Sequence, residues 1–145
     1  VNMVSAPALA KERGITVSEV RRASSGAFDS YIRLSVKTER QQRSVAGTVF
    51  SDGKPRVIQV KGINMEAELA PRVLYVTNLD QPGFIGALGS VLGEHGINIA
   101  SFNLGREKPG GDAISLVSID NEASDAVLEE IMALEQVMQV KQLQF

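Results

Sequence analysis

"NLDQPGFIGALGSVLGEHGINIA", residues 78–100, decides the fold of the second half of the chain. An apolar run at 73–76 precedes it, which predicts a strand leading into the glycine-rich segment. Within the stretch, apolar residues recur at helical spacing and indicate a helix over Gly83–His95. The expected buried stripe of this helix comprises Ile85, Leu88 and Leu92.

The pattern continues to the carboxyl end. We expect strands at Arg72–Thr77, Ile97–Leu104, Ala113–Asp120 and Val137–Phe145, with a turn at Glu107–Asp112. Ser124 can cap a second helix. Its buried stripe would be Val127, Leu128, Ile131 and Leu134. The resulting order, β-α-β-β-α-β, is the ferredoxin-like arrangement.

The first half of the chain is rich in strand patterns. A helix at 6–13 ends at Gly14, and strands are expected at Ile15–Arg21, 30–37, Val45–Phe50 and Arg56–Val60. Strand 30–37 alternates and should be half-buried, with Ile32, Leu34 and Val36 inward. The acidic segment Met65–Pro71 is expected to be a seam, that is, a boundary between two domains. We therefore expect an α+β protein with a strand-rich α/β domain at 1–69 and a βαββαβ domain at 70–145.

Composition limits the function classes. The 145 residues are 43% hydrophobic and 22% charged, with no apolar run near the roughly 20 residues that span a bilayer. Zero cysteines exclude disulfides and thiolate metal sites, and one histidine, His95, excludes a His-rich metal cluster. We expect no membrane association, no bound metal and a cytoplasmic location. Because the chain starts at Val1, we also expect a piece of a longer protein.

The glycines of residues 78–100 allow three interpretations. A dinucleotide loop needs G-x-G-x-x-G, whereas Gly83, Gly86 and Gly89 follow G-x-x-G-x-x-G, so nucleotide binding is rejected. Gly86, Gly89 and Gly93 could instead let the helix pack closely on the sheet. Gly83 differs because it stands at the expected helix start, where free backbone amides and the helix dipole favour a carboxylate.

Two polar residues stand directly before that helix start. Asp80 and Asn78 end the preceding strand. The carboxylate of Asp80 beside anion-seeking amides suits a zwitterion, whose ammonium Asp80 would bind. Asp80 could equally be a simple N-cap of the helix.

Segments from both halves of the chain resemble a known family. Residues 79–106, together with "GGDAISLVSID" and "VKQLQF", resemble the ACT domain at the carboxyl end of the D-3-phosphoglycerate dehydrogenase family. "SAPALAKERGITV", "VAGTVF" and "RVIQVKGI" resemble the intervening, allosteric substrate-binding domain of its long form. The resemblance implies an intervening domain followed by an ACT domain.

The resemblance also implies a ligand. In the family an effector lies between the ACT domains of two subunits, which implies L-serine as ligand and a homodimer or larger oligomer. Carried over, Asn78 and Asp80 of one subunit and Asn98 of the other would hold serine, with Gly83 and Phe84 at the helix start. Relatives place histidine or tyrosine where Asn78 stands. Asn98 could also be a simple turn residue.

The resemblance further implies that the parent enzyme uses NAD, while this stretch holds no cofactor and no catalytic residue. An upstream anion site would involve Arg56 and Lys61, but Glu68 stands where a basic residue is expected. Two alternatives stay open: the paired regulatory domains of an L-serine dehydratase, or a module that has lost its effector response.

Other functions are rejected on the residues themselves. An RNA-recognition module needs stacking aromatics and a basic surface, whereas the third strand, Ala113–Asp120, has no aromatic residue. Residues 1–43 carry a net charge of +4 and the remainder −6, so the second half is acidic. We expect no nucleic-acid partner. His95 lies in the last turn of the expected helix, where capping is favoured over catalysis.

Overall fold

The computed structural model describes residues 2–21 and 30–145, so the start at Val1 lies outside the described residues. The helices are α1 (Ala6–Glu12), α2 (Phe84–Glu94) and α3 (Asp125–Met132). The strands of the first half are β1 (Ile32–Lys37), β2 (Gln42–Val49), β3 (Pro55–Val60) and β4 (Ile63–Glu68). Those of the second half are β5 (Arg72–Leu79), β6 (Ile99–Arg106), β7 (Asp112–Ile119) and β8 (Val137–Gln144).

The second half has the predicted β-α-β-β-α-β order. Its strands form an antiparallel sheet in the order β6-β7-β5-β8, and α2 and α3 pack on one face. The predicted cap of α3 is confirmed, since Ser124 Oγ accepts a hydrogen bond from the Val127 N–H at 3.4 Å. An apolar cluster forms the core between helices and sheet. Its largest fully buried side chains include Leu74, Val76, Phe84, Leu88, Leu92, Val117 and Ile131.

One expectation about α2 was wrong, and one of the interpretations of its glycines is also wrong. Ile85 is 57% exposed, because the buried face is centred on Phe84, Leu88 and Val91 and Ile85 lies on its flank in the first turn. The glycines at 86, 89 and 93 do not serve close packing within the chain. A Cβ built on any of them meets no atom within 4 Å.

The first half is a four-stranded antiparallel meander in the order β1-β2-β3-β4. The predicted hairpin between β2 and β3 is confirmed, with Gly53 at φ +78°. Gly14, at φ +67°, ends α1 as expected. The strand predicted at Ile15–Arg21 is wrong, since none of these residues pairs with a strand. The seam expected at 65–71 is also shorter than predicted, because β4 occupies most of it.

The predicted burial of β1 is wrong as well. Ile32, Leu34 and Val36 lie on one face as expected, but every residue of the strand is exposed. Together with the opposite wall of the second sheet, this face borders an apolar groove of about 700 Å³. The alternating pattern identified the apolar face correctly, yet nothing in the described residues covers it.

The two sheets contact each other through the opposite end of the meander. Ala67 of β4 packs with Val73 and Leu116 on the face of the second sheet that is opposite the helices. Gly105 of β6 approaches β4 so closely that an added Cβ would lie 2.7 Å from the Asn64 carbonyl oxygen. This contact places the first half behind the sheet and leaves the amino end of α2 uncovered on the other side.

Candidate functional site

The residue before α2 has a backbone conformation that only glycine adopts readily. Gly83 is the N-cap, with φ +93°, in the left-handed region. No side chain caps this helix. The Phe84 N–H makes a long 3.5 Å contact with the Gln81 carbonyl, and the first intrahelical bond is donated by the Ala87 N–H to Gly83. Among the described residues, no acceptor faces the N–H groups of Ile85 and Gly86.

Asp80 lies beside this helix start but does not cap it. Its Oδ2 accepts hydrogen bonds from Arg106 Nη1 at 2.9 Å and from the Gly110 N–H at 3.2 Å. Its own N–H donates to the Gly111 carbonyl at 2.8 Å. The N-cap interpretation of Asp80 is therefore wrong. We call the contacts of Asp80 with Arg106 and Gly110 the Asp80 clasp.

The Asp80 clasp keeps the carboxylate ionised and in reach of solvent. The Arg106 guanidinium, and after it the Gly110 N–H, lower the pKa of Asp80 below its ordinary value of 3.8. The Asp80 side chain stays 20% exposed. Its Oδ1 has no hydrogen-bond partner within residues 2–21 and 30–145. One oxygen of the carboxylate is thus engaged while the other can accept a further donor.

Asn78 is placed behind the site rather than on its surface. Its side chain is fully buried, with no exposed area. The amide nitrogen donates to the Leu79 carbonyl at 2.9 Å, and the amide oxygen accepts from the Ser115 hydroxyl at 3.2 Å. Because both ends of the amide are paired inside the protein, Asn78 shapes the end of β5 from within.

Phe84 also contributes from the inside. Its ring is 1% exposed and packs edge-on against Phe102, with ring centroids 6.4 Å apart and planes at 63°. This contact anchors the first turn of α2 on the sheet. Only the backbone of Phe84 faces the amino end of the helix.

Asn98 is not brought together with these residues in a single chain. It follows the carboxyl end of α2, whose 11 residues span about 16 Å from the Gly83 end. Its side-chain amide donates to Asp120 Oδ2 at 2.7 Å, and its carbonyl accepts from the Asp120 N–H at 3.1 Å. Asn98 is exposed, so its remaining hydrogen-bonding capacity faces solvent.

The upstream basic residues are engaged within the chain. Arg56 Nη2 lies 2.9 Å from Asp52 Oδ2 and 3.0 Å from Glu68 Oε1. Lys61 Nζ lies 5.6 Å from the centroid of the Tyr75 ring. Arg56 is thus paired with two carboxylates of the same half of the chain.

The remaining candidate groups are structural. His95 Nε2 lies 2.7 Å from Glu130 Oε2, a contact that joins α2 to α3 and that sequence spacing did not indicate. In the parts of the chain described here, no cluster of His, Asp and Glu could hold a metal ion. None of the described helices has the length and apolar character needed to span a bilayer.

Each half of the chain matches a known protein family. Residues 1–61 match the profile described as the D-3-phosphoglycerate dehydrogenase intervening domain, and residues 72–136 match that of the ACT domain. Among curated relatives, D-3-phosphoglycerate dehydrogenase of Bacillus subtilis (strain 168) is 33% identical over 97% of this chain and 27% of its own length. The enzyme of that name from Synechocystis sp. is 36% identical over 90% of this chain and 24% of its own length.

A third relative of the same name, from Methanocaldococcus jannaschii, is 30% identical over 97% of this chain. The chain spans about a quarter of the length of these relatives. Residues 1–61 therefore belong to the D-3-phosphoglycerate dehydrogenase intervening-domain family, and residues 72–136 belong to the ACT-domain family.

Proposed function

We propose that this chain is the regulatory part of a D-3-phosphoglycerate dehydrogenase and binds L-serine where two ACT domains meet. In this proposal the enzyme catalyses the first step of L-serine biosynthesis. Serine, the end product, controls the enzyme by feedback. The whole enzyme uses NAD, works in the cytoplasm and assembles as a homodimer or larger oligomer through the ACT domain.

One observation carries the proposal: the amino end of α2 offers unpaired amides beside a partly exposed carboxylate. The N–H groups of Ile85 and Gly86 have no acceptor in the described chain, and Gly83 adds no side chain that would shield them. Backbone amides at a helix start favour a carboxylate. Asp80 Oδ1 can accept a hydrogen bond from the ligand's ammonium group. A free α-amino acid carries both charges within a few atoms of each other.

The open edge of the sheet supports a site shared by two copies. β6 is an edge strand, paired only with β7 among the described strands. If a second copy added its own β6 antiparallel across a two-fold axis, the Ile99 end of one strand would meet the Arg106 end of the other. Asn98 of one copy would then approach Asp80 of its partner. This arrangement brings together groups that a single chain keeps at opposite ends of α2.

Regulation follows from linkage in this arrangement. A ligand held by both copies stabilises the paired arrangement over any other, and such couplings are typically about 1–3 kcal/mol. The intervening domain packs on the back of the ACT sheet through Ala67, Val73 and Leu116. A change in how two ACT domains meet would reach the rest of the enzyme through this contact.

The dehydrogenase is favoured over a serine dehydratase. Each of the three relatives described above carries the dehydrogenase name, and each aligns with 90% or more of this chain. If the chain does not bind serine, the remaining alternative is a module that has lost its effector response.

Titration calorimetry with L-serine tests the proposal. The chain is expected to bind serine with a Kd in or below the millimolar range, about −4 kcal/mol or stronger. Asp80→Ala should abolish the heat while the protein stays folded. Asp125→Ala, which removes an exposed carboxylate from the first turn of α3, is the matched control and should bind as the unmodified chain does. Absence of binding by the unmodified chain would refute the proposal.

A further inference from the structure

The Asp80 clasp pairs one negative charge with one positive charge at the candidate site. Arg106 lies at the end of β6 and contributes one positive charge 2.9 Å from Oδ2 of Asp80, which contributes one negative charge. A lone carboxylate would attract any cation, including simple amines. A carboxylate paired with a guanidinium attracts a cation less strongly, because the arginine's repulsion offsets part of the carboxylate's attraction.

We infer that Arg106 is a specificity-determining residue that restricts this site to ligands of zero net charge, namely α-amino acids with uncharged side chains. The inference rests on the proposed function, since it concerns the same site. The ammonium of the ligand occupies Asp80 Oδ1, and the positive field of Arg106 favours the ligand's carboxylate over a neutral group in its place. Basic and acidic amino acids each leave one charge uncompensated.

The geometry gives Arg106 this role rather than a merely structural one. Arg106 is 53% exposed at the end of an edge strand, so its side chain fills no core. The Gly110 N–H also donates to Asp80 Oδ2, and the Asp80 N–H donates to the Gly111 carbonyl. These two contacts hold the turn against Asp80 without the guanidinium. Removing the guanidinium therefore changes the charge of the site more than its shape.

A pair of matched ligands tests the inference. L-serine and L-serinamide share the ammonium and the hydroxyl, and the amide replaces only the carboxylate. The unmodified chain should prefer L-serine by about tenfold or more, and Arg106→Gln should lower this preference by about threefold or more, while the free amides of α2 retain the remainder. Arg106→Lys, which keeps the charge, and Lys108→Gln, which removes a neighbouring charge outside the clasp, should both keep the preference.

A second variant keeps the inference open to refutation if Arg106→Gln does not fold. Asp80→Asn leaves the positive charge alone at the site and should shift the preference from L-serine towards N-acetyl-L-serine, which keeps the carboxylate and lacks the ammonium.

The outcomes separate the two proposals. If the unmodified chain binds neither serine nor serinamide, the proposed function fails and the inference fails with it. If serine binds but Arg106→Gln, shown to be folded by its thermal transition, keeps the preference of the unmodified chain, only the role of Arg106 is overturned. If the preference falls by about threefold or more in Arg106→Gln and survives unchanged in Lys108→Gln, the inference stands.

Discussion

Replacing Asn78 by alanine should destabilise the ACT half rather than simply weaken a ligand contact. The family resemblance implies that this position touches the effector, whereas the structure buries its side chain completely. Both ends of the amide are paired inside the protein, with the Ser115 hydroxyl and with the Leu79 carbonyl. The variant therefore tests whether Asn78 acts from inside the fold.

The magnitude follows from what the substitution leaves behind. Each lost hydrogen bond contributes about 1 kcal/mol net, and a buried hydroxyl left without a partner costs about 1–3 kcal/mol. The Ser115 hydroxyl, fully buried, would be such a group. We expect a loss of about 2–4 kcal/mol in the free energy of unfolding, allowing for partial relaxation of the small cavity.

Urea unfolding followed by circular dichroism measures this loss. Asn98→Ala is the control, because Asn98 is exposed and loses one surface hydrogen bond, so its cost should be about 1 kcal/mol or less. If Asn78→Ala changed the free energy of unfolding by less than about 0.5 kcal/mol, within the range of ordinary surface substitutions, the structural role of Asn78 would be refuted.

Three further outcomes follow. Gly105→Ala should cost about 1–3 kcal/mol and loosen the contact between the two halves, because its Cβ would overlap the Asn64 carbonyl oxygen; unchanged protease resistance of the β4–β6 contact would contradict this. Leu34→Ser should alter the thermal stability of this chain by less than about 0.5 kcal/mol, since that side chain is exposed, and a large drop in Tm would show that the face is covered. The arginine partner lowers the pKa of Asp80, so the stability it contributes is present above its ordinary value of 3.8 and is lost as the pH falls through the lower, folded pKa. Unfolding curves of the unmodified chain and Asp80→Asn should therefore converge below that pH, and a gap that widens on acidification would contradict the clasp.

The ACT half could be predicted almost in full because its signals are local. The helix stripes, the Ser124 cap and the turn before β7 each depend on residues within a few positions of one another. The main error, Ile85, concerns a residue on the flank of the helix. Local periodicity locates the buried face of a helix. It does not show how far the packed elements cover the residues at the border of that face.

The first half was predicted less well because its strands depend on partners. The alternation in β1 correctly identified an apolar face, but burial requires a covering layer that no pattern within the strand can guarantee. Ile15–Arg21 has strand-like residues and no paired strand in the described chain. Propensity alone does not make a strand when its ladder partner is missing.

The candidate site shows the same limit. Gly83 and Asp80 were recognisable from the turn and helix-start signals in a single short segment. The partners of Asp80 lie about 26 and 30 residues further along the chain, at Arg106 and Gly110. Sequence spacing does not reveal such a contact, because it exists only once β6 and β7 have paired with the sheet.

The most direct test of the central claim is a backbone amide NMR titration of the chain with L-serine. The account predicts saturable shifts of the Ile85 and Gly86 N–H signals, accompanied by the side-chain amide of Asn98 as the second copy joins the site. These shifts should be absent in Asp80→Ala. Saturable binding whose shifts fall instead around Arg56 and the intervening sheet, with Ile85 and Gly86 unmoved, would contradict it.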